Sequence, residues 1–438
     1  MNSYLKKLKI VYQFIFTKKY TNREKLINVQ NVKLKKLLLS INSNYYKSNV
    51  NLFKKTIKNN KNFININILN NFNIINKKIF MKNFEEINSV KLTLDKALEI
   101  AQDSEKSRDF TKKHKDITIG LSSGTSGNKG VFLVSEEESS KWVGYILKRM
   151  LPKPYFKQHE IAFFLRANSN LYESVSSSLI KFKFYDLLSP IENYVNELNI
   201  QQPTILIAPA QVLKLLSLNK DLKINPKKII SVAEVLENED KKIIENRFNQ
   251  IVHQIYQCTE GFLGHTCEYG NIHLNEDIVI IEKEWIDEKS NRFSPIVTDL
   301  NRVTQPVIRY KLDDILIENK EKCECGSCFT RVEKIEGRCD DILKMTDINN
   351  KEYLLFPDFV SRSIISINEP LEEYKIIKSG DILKISIKPF NEIIKKEINI
   401  SLNNLYEKHS LKPLRHEFDK WNKESLSIKR RRVIEMNY

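Results

Sequence analysis

The stretch Leu121-Ser122-Ser123-Gly124-Thr125-Ser126-Gly127-Asn128-Lys129-Gly130 gathers hydroxyls, one ammonium and three glycines into a single short segment. Glycines let a backbone approach closely, so a loop of this composition can surround a polyphosphate with N–H groups, hydroxyls and a positive charge. It is suited to ATP. The spacing is not that of the Walker loop, which needs four residues between its glycines and Lys-Ser/Thr after them; here two residues separate Gly124 from Gly127, and Lys129 is followed by Gly130. Cysteine supplies a second constellation. Cys323, Cys325 and Cys328 form C-x-C-x2-C, with Cys267 and His265 further upstream, and in a reducing compartment such thiols are more often zinc ligands than disulfides.

Further short motifs follow the loop in order: Val232-Ala233-Glu234-Val235, Tyr256-Gln257-Cys258-Thr259-Glu260, Ile308-Arg309-Tyr310-Lys311-Leu312-Asp313-Asp314, Gly337-Arg338-Cys339-Asp340-Asp341 and Lys429-Arg430-Arg431-Arg432-Val433. Together they resemble the adenylate-forming superfamily of acyl-CoA synthetases, peptide-synthetase adenylation domains and luciferases. The branch most similar is that of phenylacetate–CoA ligase and the synthetase that adenylylates a deazaflavin coenzyme. The resemblance implies roles. Ser122, Ser123, Gly124, Thr125, Ser126, Gly127 and Lys129 would hold the β- and γ-phosphates, Thr259 the α-phosphate, and Glu260 a Mg2+ ion, a hard cation that prefers carboxylate oxygens. Ala233, Glu234 and Tyr256 would form the adenine pocket, Asp314 would accept both ribose hydroxyls, and Arg338 would support ribose or α-phosphate. Lys429 would bridge ribose and α-phosphate as charge develops in the transition state, with Arg430 or Arg431 the competing cation. The resemblance also implies a structural zinc on Cys267, Cys323 and Cys325, with Cys328 or His265 as fourth ligand. Two departures stand out: Ile428 precedes the lysine where the family has glycine, and Met345-Thr346-Asp347-Ile348-Asn349-Asn350 replaces a glycine-containing lid stretch.

Positioning such groups requires a layered α/β domain, and the apolar spacing provides one. Ile117–Leu121 and Val131–Val134 read as strands around the glycine-rich loop, preceded by a helix within 89–109. Strands at Ile161–Leu165, Thr204–Ala208 and Lys228–Val232 alternate with helices at Gln211–Leu218 and Asn238–Phe248. Tyr256 falls at a strand end, where such sheets bind ligands. Gly270–Glu282 reads as hairpin strands after a turn at Tyr269-Gly270-Asn271. Strands near 374–388 and a helix over 391–408 make a smaller C-terminal unit. The expected organisation is a basic helical segment over 1–80, part of or appended to the large domain, an adenylate-forming domain over 81–339, and a lid over 340–438 that turns about Asp340. In the first segment 64–75 reads equally as helix or strand.

The chain has 438 residues and a formal charge of +16, all of whose excess lies in residues 1–80, where 17 Lys/Arg face the single acid Glu24. That segment is either a set of solvated helix faces or a dock for an acyl-carrier protein, an anionic surface or nucleic acid. A nucleic-acid-binding zinc protein would account for the charge and the cysteines but not for six ordered motifs, so a nucleic-acid partner is not expected. No run approaches a membrane span and no secretory signal is evident, so a cytoplasmic protein is expected. The expected reaction joins a carboxylic acid to AMP at the expense of MgATP, followed by transfer to a thiol of CoA or a carrier protein. Adenylyl transfer to a hydroxyl is the alternative. Phe164, Arg166, Ala208 and Phe262 are candidate walls of the acid pocket.

Overall fold

Residues Ile117–Leu121 and Val131–Ser135 form an antiparallel pair with Leu121 opposite Val131. The Phe132 ring opposite lies over Gly120, where a Cβ would come within 2.3 Å of the ring's far end and push it aside. The glycine-rich loop therefore springs from a strand–loop–strand turn, and its stem is closed by Ser122 N–H donating to the Gly130 carbonyl and Gly130 N–H donating to Ser122 Oγ, both at 2.7 Å. The structure is a computed structural model that describes residues 3–59, 65–122, 130–155, 157–166, 176, 179–422, 424–425 and 429–436. The tip of the loop, Ser123, Gly124, Thr125, Ser126, Gly127 and Lys129, lies outside the described residues.

Beyond the loop, Ser135 caps the helix Glu136–Met150 through a capping box with Glu138. Five parallel strands follow, ordered Ile180–Asp186, His159–Leu165, Ile205–Ala208, Lys228–Ser231 and Val252–Cys258. The inner strand Ile205–Ala208 is apolar throughout and Lys228–Ser231 has Ile229 and Ile230 at its centre, as burial on both faces of a parallel sheet demands. Helices Ala210–Leu218 and Asn238–Phe248 are the crossovers. At Val252–Cys258 the sheet changes character: this strand pairs antiparallel with Gly261–Thr266, with a register shift between Tyr256 and Gln257. The turn at Gly270, whose φ is +80°, then leads into Ile272–Leu274, which pairs back on Gly261–Thr266. Of the hairpin strands expected over 270–282 after the turn at Tyr269-Gly270-Asn271, Ile272–Leu274 pairs back across that turn, while Val279–Asp287 pairs forward with Arg292–Asp299.

Residues before 80 form helices Ser3–Phe16, Arg23–Ser40 and Lys47–Asn59 and a 3-10 turn at Ile66–Asn71, so 66–71 is no strand, while Ile75 makes an isolated bridge to Tyr310. Several of their basic side chains act as anchors. Arg23 meets Glu276 at 2.7 Å, Lys33 Nζ donates to the Asp277 carbonyl at 2.7 Å, and the Gln30 amide donates to the Glu276 carbonyl at 2.7 Å. Among the described residues no helix is long and apolar enough to cross a membrane.

The chain divides into two compact units: Met1–Leu312 with Ile317–Lys334, and Asp313–Leu316 with Ile335–Tyr438. In the second, the hairpin Glu373–Ser379 and Ile382–Lys388 is flanked by parallel partners Val433–Met436 and Arg415–Lys420. Helix Glu392–Lys408 packs Ile394, Ile398 and Leu402 into the core with Tyr374, Ile376 and Ile385. The stretch that departs from the family pattern contains a tight connection between Leu343–Thr346 and Glu352–Leu355, with Asn350 in the left-handed region at φ +64°.

Candidate nucleotide site and cysteine cluster

In an open parallel sheet the carboxyl ends of the strands leave a crevice edged by backbone groups, which is where ligands bind. Within the first unit that edge carries Arg166 after His159–Leu165, Pro209 to Gln211 after Ile205–Ala208, Ala233 and Glu234 after Lys228–Ser231, and Thr259 and Glu260 after Val252–Cys258. Ala233 adopts φ +65°, an unfavourable conformation for a residue with a Cβ, and the turn it makes is braced by its neighbour. Glu234, with its carboxylate buried, forms an ion pair with Arg166 and accepts the Gln211 N–H at 3.2 Å. Its charge is thus engaged within the protein, by the Arg166 guanidinium and the Gln211 N–H. Tyr256 is buried at the register shift, and Thr259 Oγ1 donates to Glu260 Oε2 at 2.9 Å.

A buried network that the motifs did not reveal ties these strand ends to the glycine-rich loop. Arg302 donates to the Thr259 carbonyl with one guanidinium nitrogen, and with the other to the Leu133 carbonyl at 2.9 Å and to Gln305 Oε1 at 3.2 Å. Gln305 accepts the Leu133 N–H at 3.0 Å and donates to the Val131 carbonyl at 3.3 Å. Ile119 already pairs with Leu133 on the other side. Arg302 and Gln305 therefore supply the hydrogen bonds of a missing neighbour strand. Glu138 completes the arrangement by accepting the Val303 and Thr304 N–H groups at 2.7 and 2.8 Å. Asp299 lies close by, buried, and burial pushes its carboxyl up to about 6 against the pull of the Arg302 charge. Arg302, Gln305 and Asp299 lie in none of the motifs read from the sequence.

Asp314, Arg338 and Lys429 belong to the second unit. Gly337, at φ +144°, occupies a conformation only glycine adopts readily, just before Arg338. The two cations that competed with Lys429 hold carboxylates within this unit: Arg430 forms an ion pair with Glu373, and Arg431 Nε donates to Asp341 at 2.8 Å. Arg432 lies with its guanidinium 4.4 Å from the centre of the Tyr374 ring. Of the candidate acid-pocket walls, Phe164 is fully buried and stacks on Tyr185 with ring centres 4.6 Å apart, a core position, and Arg166 is the partner of Glu234.

The cysteine cluster is gathered tightly. Cys267, Cys323, Cys325 and His273 are all buried, and their ligand atoms lie within 4.8 Å of one another. A tetrahedral zinc bound to thiolates at about 2.3 Å sets sulfur atoms about 3.8 Å apart; Cys267 and Cys323 sulfurs are 3.8 Å apart, and Cys325 Sγ is 3.4 Å from His273 Nε2. Donors aimed at sulfur add to the fit, since Asn271 donates to Cys323 Sγ at 3.3 Å and Ser327 N–H to Cys325 Sγ at 3.4 Å. The residues therefore fit a closed zinc site. The group gathered with the three cysteines is His273, whereas Cys328 or His265 was the fourth ligand expected from sequence. His265 Nδ1 instead lies 2.7 Å from Asn275 Oδ1, and Cys328 N–H donates to the Tyr20 carbonyl at 2.8 Å, against the N-terminal segment. The position of His273 one turn and strand beyond Cys267 was the available signal, legible only once the hairpin places the two side by side. None of the six cysteines forms a disulfide.

A mixed sheet with this edge, and a small separate sheet after it, define the fold of acyl-CoA ligase-like adenylate-forming enzymes. The solved structure of 2-hydroxyisobutyryl-CoA ligase in the postadenylation state, in complex with R3-HIB-AMP, superposes with a TM-score of 0.68 at 12% identity, covering 95% of this chain and 91% of that one. ATP-bound MatB from Rhodopseudomonas palustris gives 0.51 at 12% identity over 73% of this chain and 67% of that one. Over 110 residues the chain is 28% identical to phenylacetate-coenzyme A ligase of Thermus thermophilus, and the match spans 24% of each protein. The chain is thus a distant homologue of that ligase over part of its length, with the adenylate-forming fold. No protein-family model matches it.

Proposed function

We propose that the protein activates a carboxylic acid with MgATP, forming an acyl-adenylate and releasing pyrophosphate, and then passes the acyl group to a thiol of CoA or a carrier protein. The observation that carries this reading is the Arg302 guanidinium, which joins the strand returning from the glycine-rich loop to the carbonyl of Thr259. One rigid bridge thereby relates a polyphosphate loop to the Thr259-Glu260 pair, as attack on an α-phosphorus demands: the carboxylate oxygen forms the new P–O bond and pyrophosphate leaves in line, so catalysis is positioning and charge neutralisation.

In this scheme the hydroxyls and Lys129 of the loop receive the β- and γ-phosphates, Thr259 the α-phosphate, and Glu260 would hold Mg2+, which neutralises phosphate charge. Tyr256 and the Ala233–Glu234 turn receive the adenine. Asp314 binds the ribose hydroxyls and Arg338 supports them, while Lys429 stabilises charge on the α-phosphate from a lid over 340–438 that turns at Asp340. Zinc on the three cysteines and His273 is structural, because four protein donors leave no open position for substrate. Reduced thiols and ATP consumption suit the cytoplasm.

The test is ATP–pyrophosphate exchange across a library of carboxylic acids, with acyl-AMP detected by mass spectrometry. At least one acid should support exchange, and Glu260→Ala, Asp314→Ala and Lys429→Ala should each lower it by two or more orders of magnitude, since a lost charge-stabilising contact is worth roughly 3–4 kcal/mol. Folded protein that exchanges with no acid overturns the proposal.

A further inference from the structure

Helix Ser3–Phe16 is docked on the first unit by one face and shows the opposite face to solvent. On the docked side Ile10 and Gln13 press against Gly144 of helix Glu136–Met150, where a Cβ would come within 2.5 Å of Gln13 Cβ. Phe14 makes an edge contact with Tyr155, ring centres 5.2 Å apart. The helix is therefore held in a defined orientation. On the far side Leu5, Leu8, Val11, Tyr12, Ile15 and Phe16 are 47–62% exposed. Their spacing, by three, four and one, draws a continuous apolar stripe along the helix.

The borders of the stripe are positive. Lys7 lies one turn before Val11 on one edge and Lys9 one turn after Leu5 on the other; Lys18 and Lys19 follow the helix, and no acid occurs before Glu24. Lys9 approaches Glu137 at 3.4 Å and Lys19 approaches Glu268 at 3.3 Å, both pairs on the surface, where they restrain the side chains only weakly. An apolar stripe with aromatic members and lysines along both edges is the pattern of a helix that lies in a bilayer interface, apolar face among the acyl chains and ammonium groups at the headgroups. A second copy of the chain is disfavoured, because stripe-to-stripe contact would bring the bordering lysines together. An acidic carrier protein would match the lysines but leave the apolar stripe unexplained.

We propose that the exposed face of helix Ser3–Phe16 binds the protein peripherally to anionic phospholipid membranes. This goes beyond the proposed reaction and does not depend on it. The test is flotation of the purified full-length protein with vesicles of phosphatidylcholine alone and of phosphatidylcholine with phosphatidylglycerol. Binding is expected to the anionic vesicles, to weaken with added salt, to fall roughly fivefold for each of Lys7→Gln and Lys18→Gln, and to be lost in Leu8→Glu/Tyr12→Glu with an unchanged melting temperature. The proposal is overturned if the wild type does not float with anionic vesicles, or if the double variant floats as well as wild type. It is equally overturned if that variant instead abolishes a concentration-dependent dimer, or capture of an acidic carrier protein, while vesicle binding is absent.

Discussion

Replacing Arg302 by Met keeps roughly the same length of apolar side chain while removing every hydrogen bond the guanidinium makes. Arg302 is 7% exposed, so water cannot freely take over the carbonyls of Thr259 and Leu133. A buried acceptor left without a donor costs about 1–3 kcal/mol, and two such acceptors give about 2–6 kcal/mol, with the middle of that range the expected loss. For a unit of this size that is a fall of roughly 5–10 °C in melting temperature. Arg302→Lys should be intermediate, because an ammonium can reach one carbonyl but lacks the planar fork that spans both. Differential scanning calorimetry of the three proteins measures the stability, and pyrophosphate exchange at varied ATP measures the site. The Met variant should show a raised KM for ATP at temperatures where it remains folded, since Thr259 has lost its brace. If it melts within about 2 °C of wild type, the inference that Arg302 stands in for a missing strand is wrong; if it melts early but binds ATP normally, the bridge is architectural only.

The cluster predicts about one zinc per chain by elemental analysis, lost with a marked fall in melting temperature in Cys323→Ser and His273→Ala but retained in Cys328→Ser and His265→Ala; metal loss in Cys328→Ser with retention in His273→Ala would reassign the fourth ligand. Asp299 predicts a pH dependence. Burial pushes its carboxyl up to about 6, above the value of about 3.9 in an unfolded chain, so the folded protein holds this proton more tightly. Stability from this group is present below about pH 4 and is lost as pH rises through about 6. Asp299→Asn should then be nearly neutral near pH 3 and stabilising near pH 7.5, by about 2 to 3 kcal/mol, from a two-unit shift at about 1.4 kcal/mol each. A difference between variant and wild type that does not vary with pH would remove Asp299 as a titrating buried group.

Local chemistry made much of the fold legible. Helix Asn238–Phe248 has the bounds its periodicity predicts, and the strands flanking the glycine-rich loop follow from short apolar runs on either side of it. Helix Glu392–Lys408 likewise follows its apolar period behind the Asn391 cap. Pairing partners were less legible, because a run such as Val279–Asp287 can join any edge that presents matching apolar residues, and here it joins Arg292–Asp299 ahead of it instead of Ile272–Leu274 behind it.

Side-chain partnerships that join distant segments followed the same rule. The sequence by itself determined which residue types were available: the hydroxyls and glycines of the loop, the Thr259-Glu260 pair, the thiols, and the excess of lysine before residue 80. Only the tertiary structure decided that His273 completes the cysteine cluster, that Arg302 and Gln305 cap a strand edge, and that Leu5 to Phe16 turn their apolar face outward. The physical reason is that composition and periodicity report each residue's local preference, whereas ligand geometry, hydrogen-bond satisfaction and exposure depend on which remote segments the folded chain sets beside it.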